Sequence, residues 1–150
     1  MKKLLRFMPI LLIAVLGFSM SACSDDDDDE DSPINPSELP VNATSFLSTY
    51  FPGVSITTST LEGAEYEVVL ANGFNIDFNL SGEWIDVDAP YGMTVPTGFY
   101  PAAIDEYLGL NMEGAGINEI SQSPMGYEVE TVGGIELVFS SAGTFLGYAD

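Results

Sequence analysis

Asp77, Asn79, Ser81, Gly82 and Asp88 stand in "DFNLSGEWIDVD" (77–88) at positions 1, 3, 5, 6 and 12 of a calcium-loop spacing. Oxygen donors at alternate positions would wrap a hard cation, and the glycine would let the chain turn sharply. An EF-hand, however, needs a helix on each side, and here both flanks alternate apolar and polar residues in the manner of strands. The same letters describe a different object. Asn79 first and Gly82 fourth make a type I turn closed by a glycine bulge, a common three-residue hairpin connection. The matching stretch "SSAG" (140–143) keeps the glycine and loses the acids. The hairpin is therefore the expectation, no metal site is assigned, and calcium on Asp77, Asn79, Ser81 and Asp88 is kept as the alternative.

Little other chemistry is available to this sequence. There is no histidine, and the only basic residues, Lys2, Lys3 and Arg6, lie in the first six positions, whereas all 23 acids follow Cys23. Beyond that cysteine, acid–base catalysis would have to rest on a carboxylate pair of the glycosidase kind, and no two acids are marked out as one. The expectation is a protein without catalysis or cofactor. Nucleic acid is excluded as a direct partner, because displacing phosphate counterions needs cationic side chains. No salt bridge can form after residue 22, so the fold must rest on apolar burial and hydrogen bonds.

Binding is the remaining class of function. Outward polar rows, Glu65, Glu67, Asn75 and Asp77 with Glu128, Glu130 and Glu136, read either as a solvated strand face or as a docking surface for a basic partner. Trp84 has two readings as well. A three-residue turn puts it opposite Phe78 on the apolar face, and a two-residue turn puts it opposite Asn79 on the open face, where it would join the binding residues. Tyr91, Met93, Phe99 and Tyr100, in the proline-rich connection 88–102, are either binding-loop residues or packing between two units.

The segments that must position these residues begin with a leader. Lys2, Lys3 and Arg6, then "FMPILLIAVLGFSM", then small residues up to Ala22 have the three-part layout of a secretory signal, and Pro9 interrupts an apolar stretch already short for a membrane span. "MSAC" (20–23) resembles the lipobox of bacterial lipoproteins, which would make Cys23, the only cysteine, the acylated first residue after cleavage at 22. Ser24 with Asp25, Asp26, Asp27 and Asp28 resembles the export signal that sends Bacteroidota lipoproteins to the outer face of the outer membrane. Residues 23–38 read as that acylated cysteine and a disordered acidic tether, reaching on the order of 50 Å. The expected location is the outer membrane, lipid-anchored and facing the cell surface, with the periplasmic face as the alternative.

From residue 39 the sequence repeats. "YEVVLANGFNIDFNLSGEWI" (66–85) aligns without gaps on "YEVETVGGIELVFSSAGTFL" (127–146), a period of about 60 residues. Helix-spaced residues precede each copy: Ala43, Phe46, Leu47 and Tyr50 in the first, Tyr100, Ala103, Ile104 and Tyr107 in the second, with Gly109 as a helix end. Period-2 strands then follow in both. A helix and antiparallel meander occurring twice, with "YFPG" (50–53) and "YEV…NG…F…GEW" (66–84), resembles the PepSY-like, β-lactamase-inhibitor-like lipoproteins of Bacteroidota over residues 39–150. The resemblance implies an α+β fold: two tandem repeats, 39–88 and 95–150, forming one continuous curved sheet with both helices on one face. It also implies a module that grips a protein or peptide, since PepSY modules are associated with restraining peptidases and the inhibitor-like relatives hold an enzyme with the open sheet face and loops. The functional expectation is a surface lipoprotein that binds a protein or peptide without catalysis, inhibitor-like in manner. A carbohydrate-binding accessory lipoprotein and a calcium-dependent envelope protein are the alternatives.

Overall fold

The computed structural model describes residues 31–149. Cys23 and the run Ser24–Asp28 lie outside these residues. The elements follow in the order β1 (Ser32–Pro33), a short 3-10 turn (Pro36–Glu38), α1 (Val41–Tyr50), β2 (Ile56–Glu62), β3 (Glu65–Leu70), β4 (Asn75–Asn79), β5 (Trp84–Asp88), α2 (Ala102–Asn111), β6 (Ile117–Ser123), β7 (Gly126–Thr131), β8 (Glu136–Ser140) and β9 (Phe145–Tyr148). All nine strands form one antiparallel sheet, and their order across it is their order along the chain. Among the described residues the fold is thus α+β, two helices and an open sheet.

Hydrophobic alternation decides which way each strand faces. Val68 and Leu70, Ile76 and Phe78, Val87, Ile120, Val129, Leu137 and Phe139 are buried and form one core with Ala43 and Leu47 of α1 and Ile104 and Leu108 of α2. Fully burying a side chain as large as Phe78 or Phe139 contributes about 1.5–3 kcal/mol. The inward face of α2 keeps Ile104 and Tyr107 of the spacing read in the sequence, adds Leu108 and drops Ala103. Ile104 and Leu108 point inward and Ala103 is exposed, so α2 corresponds to α1 at 61 residues, the separation that also relates Tyr66 to Tyr127. Gly109 lies within the helix, which runs on to Asn111.

Neither helix has a side-chain cap on its N-terminal amides. Each instead starts against a hairpin glycine. A Cβ on Gly82 would lie 2.7 Å from Pro40 Cβ and 2.8 Å from the Ala43 nitrogen, and one on Gly143 would lie 2.9 Å from Pro101 Cβ and 3.1 Å from Ala103 Cβ. Both glycines also sit at positive φ, +79° and +83°, closing their turns as bulge glycines.

The tether expectation is corrected for residues 32–38. Ser32 and Pro33 pair with Leu61 and Thr60. The Ile34 N–H donates to the Ser59 carbonyl at 2.9 Å, and the Ser59 hydroxyl donates back to the Ile34 carbonyl at 2.8 Å. Ile34, the one apolar residue of the segment, packs against the core. Pro33 and Pro36 lower the entropy lost on ordering it, and the Asn35 N–H donates to Glu38 Oε2 at 2.7 Å.

One amide makes three of the bonds that tie down the connection from β5 to α2. Asn118 Nδ2 donates to the carbonyls of Ala89, Pro90 and Met93 at 3.1, 3.2 and 2.9 Å. Phe99 and Tyr100 are packed here, whereas Tyr91 is fully exposed. Tyr100 donates to Asp105 Oδ1 at 3.0 Å, and its hydroxyl is pushed up by burial and then by the Asp105 charge.

Candidate functional site

The face of the sheet away from the core gathers the acids, and the registers place them in two rows. In the first, Glu67 is opposite Asp77, Asp77 opposite Asp86, Asp86 opposite Ser121, and Ser121 opposite Glu128. In the second, Asn75 is opposite Asp88, then follow Glu119, Glu130 and Glu136. Neighbouring strands lie about 4.8 Å apart, so like charges meet directly across the ladder. Direct opposition of like charges is destabilising, and no cation of the chain after residue 6 is available to relieve it.

Part of that strain is absorbed by protons. Glu62 hydrogen-bonds to Glu67; that bond, then partial burial and the charges of Glu67, Asp31 and Asp77, raise its carboxyl to about 7. Burial, and then the Glu130 charge, raise Asp88. Asn75 Nδ2 donates to Glu67 Oε1 at 3.1 Å, an uncharged substitute for a cation.

A β-bulge sorts the acids from the tryptophan. Phe78 pairs with Trp84 while the preceding Asp77 pairs with Asp86, so Ile85 is the extra residue and the side-chain alternation resets there. Trp84 consequently faces the core with Phe78, and Asp86 and Asp88 face outward. Trp84 is half-buried, stacked on Tyr127 at 6.0 Å and on Phe46 at 6.5 Å, with Phe99 edge-on at 4.9 Å. It is therefore removed from the open-face binding set, which it could have joined only through a two-residue turn.

The calcium-loop spacing folds as a hairpin. The Gly82 N–H donates to the Asn79 carbonyl, and Asn79 Oδ1 accepts from the amides of Ser81 and Glu83 at 2.9 and 3.0 Å. Asn79 thus spends its carboxamide oxygen on its own turn, and Asp77 and Asp88 sit on opposite strands. Among the described residues no group of three acids is placed to hold a metal ion.

Of the residues singled out in the sequence, Glu67, Asn75, Asp77, Glu128, Glu130 and Glu136 share the open face. Asp86 and Glu119 belong there too and were missed. Strict alternation through "EWIDVD" groups Asp86 and Asp88 with Trp84, and only the bulge separates them. A shallow cleft of about 340 Å³, lined by Asn42, Phe46, Trp84 and Gln122 among others, opens beside the Gly82 turn. Gln122 Nε2 donates to the Trp84 carbonyl there at 2.8 Å.

The family model described as "Putative beta-lactamase-inhibitor-like, PepSY-like" matches residues 64–147. A Bacteroides thetaiotaomicron structure described as a "putative calcium-regulated periplasmic protein" is 27% identical with a TM-score of 0.74, covering 80% of this chain and 97% of its own. A Bacteroides vulgatus structure, described as a "putative periplasmic protein of unknown function", is 30% identical with a TM-score of 0.75, covering 81% of this chain and 100% of its own. None of the curated protein sequences matches this one significantly.

Proposed function

This chain belongs to the PepSY-like, β-lactamase-inhibitor-like family, and from that premise we propose that it is a non-catalytic binding module of the cell envelope whose open sheet face docks a basic protein or peptide. The observation that carries the reading is the band of carboxylates through Glu67, Asp77, Asp86, Glu119 and Glu130, in a sequence with no cation after Arg6. Such a field steers cationic partners and repels acidic ones, and a bound Lys or Arg would relieve the opposed charges. In this reading residues 39–88 and 95–150 are tandem copies of one unit with both helices on the same side of the sheet, leaving the other side free. Cys23 carries the lipid, and Ser24–Asp28 direct the protein to the outer face of the outer membrane. The neighbours' periplasmic descriptions suit the alternative, anchorage on the inner side.

The test is capture from envelope extract on the immobilised protein. The expected prey is a basic protein, lost in about 0.5 M salt, where screening reaches only a few ångströms, and lost again on the triple variant Asp86→Asn, Glu119→Gln, Glu130→Gln. Capture of glycan alone, or of protein indifferent to both changes, sinks the reading and favours a carbohydrate-binding accessory role.

Calcium dependence is a second reading, favoured by the description of the B. thetaiotaomicron neighbour and by oxygen donors facing one another across the strands. The ion would have to draw together carboxylates that stand in pairs. Calorimetry showing no heat at millimolar calcium ends it.

A further inference from the structure

The two ends of the sheet are unequal. At one end β2 is covered by residues 32–34, and at the other β9 has no strand outside it among the described residues. The inner junction between β5 and β6 shows what each end is shaped to receive. There Asp86 pairs with Ser121 and Val87 with Ile120. Subtracting the 61-residue offset from β6 turns Ser121 into Thr60 and Ile120 into Ser59, the residues of β2 that Pro33 and Ile34 engage. Residues 32–34 therefore occupy on β2 the seat that residues 85–87 occupy on β6.

Adding the same offset to β5 gives β9: Asp86 becomes Gly147 and Val87 becomes Tyr148. The correspondence is physical as well as numerical. Trp84 pairs with Phe78 across a bulge, and Phe145 pairs with Phe139 across another. Tyr107 stacks on Phe145 at 4.4 Å and meets Phe139 at 5.5 Å, as Phe46 stacks on Trp84 and meets Phe78 at 5.6 Å. Trp84 is then covered by Phe99 and Tyr127 from beyond the junction, whereas Phe145 meets only Tyr148 on that side, and Leu146 and Tyr148 are exposed. The Ala149 N–H points inward to Glu136, so by alternation the Tyr148 backbone points outward.

We infer that residues 32–34 are a displaceable strap over the edge of β2, and that the occupant of the vacated edge is β9 of a second copy of this chain, added head to tail. The register is fixed by the β5–β6 junction: Leu146 opposite Leu61, Gly147 opposite Thr60, Tyr148 opposite Ser59. The Tyr148 N–H would donate to the Ser59 carbonyl that Ile34 now uses, and the Ser59 hydroxyl would be free to donate to the Tyr148 carbonyl. Charge permits the join where it would discourage others, since the meeting residues are neutral while the inner junction sets Asp88 against Glu119. A head-to-tail contact of this kind joins unlike edges, so the product is a row of molecules, open unless its rotation brings the two ends together, and the strap, with Pro33 in it, holds the edge against it. The inference rests on the correspondence between the halves and not on the docking of a basic partner.

The experiment uses the full chain with Cys23→Ser and two new cysteines, Thr60→Cys and Gly147→Cys, under mild oxidation and moderate salt, with no other protein present. A side chain at 147 has open space. With the strap released by Ile34→Asp, the expected result is loss of the monomer band into a ladder of dimers, trimers and higher species on a non-reducing gel. Ile34→Gly serves as the gentler release if circular dichroism shows the aspartate variant unfolded. With native Ile34 the ladder is expected to fall to the level given by either single cysteine. No ladder from a folded, strap-released protein overturns the inference, and so does a ladder of equal strength with the strap intact.

Discussion

The two halves of the sheet share a scaffold and place their charges differently. The pairs Gly82 and Gly143, Phe78 and Phe139, and Trp84 and Phe145 do the same work 61 residues apart. Of the outward acids only Glu67 and Glu128 follow that offset. Asp77 and Asp86 in the first half correspond to Val138 and Gly147, whereas Glu130 and Glu136 in the second correspond to Val69 and Asn75. The first row takes Glu67, Asp77 and Asp86 from the first half and only Glu128 from the second, and the second row takes only Asp88 from the first half and Glu119, Glu130 and Glu136 from the second, so the carboxylates run obliquely across the strands instead of along one line. The halves are alike where a side chain must fit the core, and they differ on the outward face.

The largest test of that comparison replaces the paired aromatics. Trp84→Ala is expected to destabilise by about 3–5 kcal/mol and Phe145→Ala by about 3 or less, because Trp84 is held by rings from both halves and Phe145 from one. Denaturant titration of the two variants measures the gap, and equal losses would mean that the junction adds nothing. The hairpin glycines come next. Gly82→Ala is expected to cost about 2–4 kcal/mol and Gly143→Ala about 1–2, since a Cβ at 82 would come within 2.8 Å of a backbone nitrogen of α1 whereas one at 143 would meet Pro101 and Ala103 Cβ at 2.9 and 3.1 Å; thermal melts decide the order.

A smaller effect separates the halves by pH. Glu62 has its folded pKa raised from 4.5 to about 7, so its contribution is fully present below about 4.5 and is lost as pH rises through about 7. The melting temperature is therefore expected to fall between pH 4.5 and 8, and Glu62→Gln is expected to flatten that slope. The corresponding residue of the second half is Ser123, which has no charge to titrate. The smallest expected effect is a rise in melting temperature with added salt, as opposed carboxylates are screened. Asp77→Asn is expected to reduce it, and a melt unmoved by salt would contradict the picture.

Much of this was legible in the sequence because glycine and aromatic positions are dictated locally. The Asn79–Gly82 turn, the core role of Phe78 and the outward course of Glu67, Asn75 and Asp77 follow from turn chemistry and alternation. What stayed hidden was set by longer reach. Ile85 gives no local sign of being a bulge, so Asp86 was not grouped with the other acids, and a separate bulge between Ile117 and Glu119 broke the alternation before Glu119. The face of the second helix was read with Ala103 in place of Leu108, because Tyr100, which lies ahead of the helix, and Ala103 happen to fit the spacing. Residues 32–34 look like tether until Ser59, in β2, offers both its carbonyl and its hydroxyl.

The agreement between strand order and chain order bears on how the molecule comes into being. Among the described residues every strand pairs only with its predecessor and its successor, so most loop closures are short hairpins and only β1–β2 and β5–β6 close across a helix. A chain delivered amino end first can add each ladder as it emerges. The sheet can grow at the pace of delivery, with one fresh edge open at a time.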